Sequence, residues 1–221
     1  MLSTTLFAAI FAFTGDPTPT PAIPPISDLA GLQVGKCEEG HLSGAVQLPE
    51  SPQHYVRITP ENAWGRREMI DVLVHAGKQM EWLMPEADPF TVGDISAKYG
   101  GQLSGHRSHR LGIDADIGVY WRDAWQPRGE FVNLHPREFD TEATWTLLRS
   151  MLNTGLISRV LLDQSLINEL YDYTVESGEL TIEEADAIFP PQGARVWEMS
   201  GIVTHAPNHG DHLHVTVLCG G

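Results

Sequence analysis

Gly112-Ile-Asp-Ala-Asp-Ile-Gly-Val119 and Asp211-His-Leu-His-Val-Thr-Val-Leu218 alternate between apolar and polar residues. In the first, Ile113, Ala115, Ile117 and Val119 fall on one face, with Asp114 and Asp116 on the other. In the second, Leu213, Val215 and Val217 oppose His212, His214 and Thr216. A period of two marks a strand with one buried apolar face. The polar face of each strand carries side chains that bind metal ions, so the same pattern bears on both fold and chemistry.

Helical spacing surrounds these strands. Arg66 to Met84 places Met69, Ile70, Leu73, Val74, Met80 and Leu83 on one stripe, and Pro85 stops it. Thr141 to Asn153 reads as a second helix, capped by Asp140 or Thr141, with Gly155 just past its end. Ser158–Asp163, with Val160, Leu161 and Leu162 at its centre, reads as a buried strand, and Ser165–Val175 as a helix. Thr181 and Glu184 have the spacing of a capping box for a short helix ending near Pro190. The expected fold is α+β, a small antiparallel sheet flanked by helices and carrying the metal-binding side chains.

Residues 1–15 contain an apolar run too short to span a bilayer and read as a signal peptide. Pro17, Pro19, Pro21, Pro24 and Pro25 make residues 16–31 an extended linker. One domain is expected over residues 32–221, in a chain exported to the periplasm or the exterior, with no stable membrane insertion once mature. The net charge of −15 repels a phosphate backbone, which excludes nucleic acid as a partner. The two cysteines, Cys37 and Cys219, flank the expected domain, and in an exported chain they are expected to pair.

Of ten histidines, His106 and His109 lie in one short window and His205, His209, His212 and His214 in another. His41, His54, His75 and His135 are scattered and read as structural. Catalytic zinc takes three imidazole or carboxylate ligands and keeps a fourth position for water. An H-x-H pair sets two imidazoles on one strand face, so one can bind metal while the other stands beside the water. His109 precedes Asp116 by seven residues, and a turn through Arg110–Gly112 returns the imidazole over the carboxylate. Gly112 supplies the backbone freedom for that turn. A nitrogen and oxygen donor set without a nearby cysteine favours one zinc ion per chain. Spacing alone does not rank the members of the cluster.

The pattern resembles a known family. Gly35-Lys-Cys37, Gly44-Ala-Val-Gln-Leu-Pro49, Ala63-Trp-Gly65, Val92-Gly-Asp-Ile-Ser96, Gly100-Gly and Gly105-His-Arg-Ser-His109 follow in order. Gly112-Ile-Asp-Ala-Asp-Ile117 and Asn208-His-Gly-Asp-His-Leu-His-Val215 complete the set. Together they are similar to the penicillin-insensitive murein endopeptidases, within the zinc peptidases that include lysostaphin, D-Ala-D-Ala metallopeptidases and the hedgehog domain. The resemblance implies His109, Asp116 and His214 as zinc ligands, and His212 as the base beside the attacking water. His106 and His209 then line the site, and Asp94 and Asp114 orient loops or a ligand ring. It implies hydrolysis of peptidoglycan peptides at cross-links between D-alanine and a diamino acid. The segment Arg128–Asp140 does not reproduce the family's further Asp/His pair, so His135 and Asp140 are not credited with a second metal.

Two rivals remain. A carboxypeptidase of the same fold needs an arginine for a free terminal carboxylate, and Arg57, Arg107 and Arg110 are available. A non-catalytic zinc-binding interaction module is expected to lack a site histidine, whereas all five are present here.

Overall fold

A computed structural model describes residues 42–122, 129–133, 135–191 and 201–219. The expected signal peptide and linker, Cys37 with its pairing to Cys219, and His41 lie outside the described residues.

The chain enters through β1 (Val46–Gln47), β2 (Tyr55–Arg57) and β3 (Trp64–Gly65), with β1 antiparallel to β3. Helix α1 (Arg67–Leu83) follows, and Pro85 stands just beyond it, as the spacing predicts. Its buried stripe of Met69, Ile70, Leu73, Ala76 and Met80 recurs every three to four residues. Then come β4 (Phe90–Val92) and β5 (Asp114–Gly118). Helix α2 (Thr141–Leu152) begins where Asp140 accepts a hydrogen bond from the Ala143 amide at 3.1 Å. After β6 (Ile157–Leu162), helix α3 (Gln164–Glu176) is capped by Asp163 through the Ser165 amide. Helix α4 (Ile182–Ile188) opens on the Thr181–Glu184 capping box. β7 (Val203–His205) and β8 (His212–Val217) complete the described elements.

The sheet corrects one expectation. It is six-stranded and mixed, in the order β2-β4-β5-β8-β6-β7. The inner pairs β4·β5, β5·β8 and β6·β8 are antiparallel, while the outer pairs β2·β4 and β6·β7 are parallel. The outer strands β2, β4 and β7 are three residues long, too short to show a period. The two strands read from alternation, β5 and β8, are neighbours at the centre of the sheet.

One sheet face meets the helices. Ala115, Ile117, Val160, Leu162, Leu213, Val215 and Val217 join Met69, Leu73, Leu148 and Met151 in one buried cluster. Burying such apolar surface is the main force holding the layers together. The other face is not the solvated one that simple alternation suggests, because Asp114, Asp116 and His214 are also buried. That burial is costly without partners, and it marks the site.

Helix α1 approaches β2 through Gly77, where an added Cβ would stand 2.7 Å from the His54 Cβ and 3.2 Å from its Cγ. Alanine gains up to about 1 kcal/mol of helix propensity over glycine. A clash with a rigid Cβ outweighs it, so Gly77→Ala is expected to destabilise the fold by about 1–3 kcal/mol. Thermal or urea unfolding measures this, and an unchanged midpoint would show that α1 can shift to absorb the methyl.

Candidate metal centre

β5 and β8 run antiparallel in a register that pairs Asp116 with His214, Gly118 with His212 and Asp114 with Thr216. The second histidine cluster is thereby placed directly beside the two aspartates. His109 arrives from the preceding loop. Its own φ is 60° and that of Gly112 is 66°, so the chain turns back sharply, as the spacing predicts. A side chain at Gly112 would also meet the Gly65 Cα at 2.9 Å and the Arg66 nitrogen at 3.0 Å.

The His109 ring is wholly buried. Its Nδ1–H donates to the Ile95 carbonyl at 3.1 Å, which leaves the Nε2 lone pair facing the Asp116 Oδ1 at 3.2 Å. That Nε2 is a buried nitrogen with no hydrogen-bond partner. On the other side, His214 directs Nδ1 to the same Asp116 Oδ1 at 2.8 Å and Nε2 to the Asp114 Oδ1 at 3.3 Å. Asp114 is held in turn by the Thr216 hydroxyl at 2.9 Å and the His109 amide at 3.3 Å.

These contacts determine the charges. Burial opposes ionisation of Asp116, yet contact with the His109 and His214 rings holds its carboxyl well below the usual range. Asp114 is likewise depressed, burial being overcome by His214 and Thr216. Burial works against a charge on His214, but its two carboxylate partners prevail and its pKa is pushed up to about 9. The carboxylates therefore demand a cation between the two strands, supplied here by the His214 proton.

A divalent metal meets the same demand. Zinc ligands in a tetrahedral site, at ~2.0–2.1 Å from the ion, stand roughly 3.3 Å apart. The orphaned lone pair of His109 and the convergence of His109 and His214 on one Asp116 oxygen fit that spacing. Ligating histidines usually donate their second N–H to a carboxylate or carbonyl, as His214 and His109 do. Among the described residues, the group that places one donor atom each within 4.8 Å of one another is His106, His109 and Asp116, with His106 in the place where His214 is expected. His106 sets Nε2 3.1 Å from the Asp94 carboxylate and turns Nδ1 toward Asp116 at 3.8 Å. Asp94 is fixed by the Thr59 hydroxyl and the Asn62 amide.

His212 and His209 stand next to this group. His212 donates from Nδ1 to Asp211 at 2.6 Å and keeps Nε2 open, 3.7 Å from Asp116. Phe131 stacks on its ring, with centroids 5.1 Å apart and planes within 15°. Gly93 leaves room for Phe131, since a Cβ there would come within 2.7 Å of it. His209 donates from Nδ1 to the Pro207 carbonyl, and burial together with His212 and His214 lowers its pKa, favouring the neutral ring. A cavity of ≈ 840 Å³ opens over the group, lined by His106, His209, His212, His214, Asp94 and Asp116, and also by Asp211, Phe131, Arg107 and Arg159.

Not every sequence candidate enters the site. His205 belongs to the second histidine window, but its Nδ1 accepts from the Gln164 amide at the start of α3. His135 accepts from the Arg137 amide and Asp140 caps α2, so neither is drawn to a second metal. His54 bonds Ser51 and Glu81, and His75 is exposed. Arg57 is committed to the Leu48 carbonyl and Glu50. Asp211, Phe131 and Arg159 are additions; only the adjacency of Asp211 to His212 is visible in the sequence.

The model of a family described as penicillin-insensitive murein endopeptidase matches residues 33–153, more than half of the chain. The matched residues include His106, His109 and Asp116 and stop before His209, His212 and His214. The penicillin-insensitive murein endopeptidase of Haemophilus influenzae is 32% identical over 96 residues, 42% of this chain and 33% of the relative. The match thus spans about a third of that relative's length. With the family model matching over half of its residues, the chain belongs to the penicillin-insensitive murein endopeptidase family.

Proposed function

We propose that this chain is an exported zinc peptidase that hydrolyses peptidoglycan cross-links between D-alanine and a diamino acid. The observation that carries it is the buried, unpartnered Nε2 of His109, converging with His214 on Asp116 at the floor of an open cavity in a chain of this family. Within this reading His109, Asp116 and His214 hold the metal and His106 stands beside it. The fold is of the D-Ala-D-Ala-peptidase and hedgehog type. Cys37 pairs with Cys219, and residues 1–15 direct export. Among the described residues no helix is long and apolar enough to cross a membrane.

Zinc, when bound, supplies a water acidic enough to ionise near neutral pH and a Lewis acid for the scissile carbonyl. The protein supplies the rest. Asp114 fixes the His214 ring and Ile95 fixes that of His109, so the donor atoms are set before the metal arrives. His212 takes a proton from the attacking water at Nε2 and returns it to the leaving amine, while Asp211 keeps Nδ1 protonated. Phe131 restrains that ring in the plane needed for both transfers. His106 and His209 line the cavity, where they contact the substrate.

The open Nε2 of His212 favours an enzyme over a passive zinc module. Digestion of purified sacculi, followed by mass analysis of the soluble muropeptides, is expected to show cross-linked dimers converted to monomers. Chelation is expected to abolish the conversion and zinc to restore it. Unchanged dimers after digestion with zinc-loaded protein would overturn the proposal.

A further inference from the structure

We infer that Arg159 forms a subsite for a carboxylate of the substrate, set beside the reacting centre by a β-bulge. The inference rests on the peptidase reading above and adds to it the charge that the substrate must carry. β6 pairs Ile157 with Val217, but the next paired residue is Arg159, opposite Thr216, so one residue is inserted between the two pairs. Val217 lies on the core face of β8 and Thr216 on the face of His212 and His214. Without the insertion Arg159 would fall opposite Val215 and point into the core. With it, Ile157 and Val160 both reach the core, while Arg159 and Leu161 join the site face and line the cavity. Ser158, the extra residue, is tied down by donating from its hydroxyl to the Thr216 carbonyl at 3.0 Å. Bulges next to active sites commonly re-aim a side chain in this way.

The charge balance of the cavity gives the guanidinium its purpose. Asp94 is engaged by Thr59, Asn62 and His106, Asp211 by His212, and Asp116 by His214. The Arg159 guanidinium has no hydrogen bond or ion pair among the described residues, although the chain carries a net charge of −15. It stands diagonally across from His214, a separation of roughly 7–8 Å between strand positions. That distance equals about two residues of extended peptide. A substrate laid over the metal group would therefore bring a carboxylate close to the scissile amide onto Arg159, whose planar fork suits a two-point contact.

Such a carboxylate has two sources: the free C-terminus of a linear peptide, or the carboxylate borne by the diamino acid of a cross-link. The test uses zinc-loaded wild type, Arg159→Gln and Arg159→Lys. Each receives cross-linked and linear peptides with that group as carboxylate or as carboxamide. Calorimetric binding and cleavage are both read. Wild type is expected to favour the carboxylate form roughly ten- to hundredfold, mainly through KM. Arg159→Gln is expected to treat the two forms alike, and Arg159→Lys to keep part of the preference. The architecture that shows the preference identifies the source. Selective binding without cleavage, lost in Arg159→Gln, would uphold the subsite while refuting the peptidase. Cleavage without selectivity, or selectivity retained by Arg159→Gln, would overturn the subsite and leave the peptidase standing.

Discussion

Wild type is expected to hold about one zinc ion per chain, and Asp116→Ala to fold and yet retain less than about a tenth of it. Its carboxylate oxygen is the point on which His109 Nε2 and His214 Nδ1 converge, so in the proposed ligand set its loss removes both a ligand and the anchor of both rings. His214→Ala is expected to behave the same way. His106→Ala separates the two ligand sets that the geometry allows, because His106 groups with His109 and Asp116 but lies on a loop and is partly exposed. With His214 as the third ligand, His106→Ala keeps its zinc. Metal analysis after dialysis, with circular dichroism to confirm folding, decides the matter. Zinc retained by His214→Ala and lost by His106→Ala would transfer the ligand role. In the proposed ligand set zinc would also displace the His214 proton, which the ring holds below a pKa of about 9, so binding is expected to release protons and to weaken as the pH falls.

His212→Ala is expected to keep its zinc and lose roughly 10²–10⁴ in kcat, with KM little changed. The ring touches no residue of the ligand set closely, its nearest contact there being 3.7 Å from Asp116. Its removal therefore leaves the donors of the metal in place. Asp211→Asn is expected to lose less, since the amide can still hold the ring but no longer favours one tautomer. Cleavage of a cross-linked muropeptide under saturating conditions measures both variants. Wild-type turnover by zinc-loaded His212→Ala would remove His212 from the chemistry.

The sequence made the centre of the molecule legible because β5 and β8 each keep a strict alternation under one buried face. The helices were legible from their apolar stripes and capping residues. β2, β4 and β7 were not, because three residues cannot display a period and their pairing is set by tertiary context. The cluster was visible as composition, but the rank of its members depends on hydrogen bonds from carbonyls and carboxylates distant in sequence. His205 shows the limit: it lies in the same short window as His209, His212 and His214, yet its ring caps a helix. Arg159 was hidden for another reason. The run Val160–Leu162 marks a strand, but a bulge leaves no trace in residue type, and the bulge decides which face the arginine occupies.

The placement of the last described strand, β8, at the middle of the sheet has a consequence for when the site comes into being. Asp116 and His214 are 98 residues apart along the chain, and β8 must insert between β5 and β6 before they meet. A polypeptide emerging from the ribosome, or threading unfolded through a translocation channel, carries one half of the candidate metal centre without the other. Closing so long a loop adds little free-energy cost compared with a shorter one, but it can happen only after the other strands are available. The candidate metal centre therefore forms only once β8 has joined β5. Strand order itself withholds the site from the nascent chain.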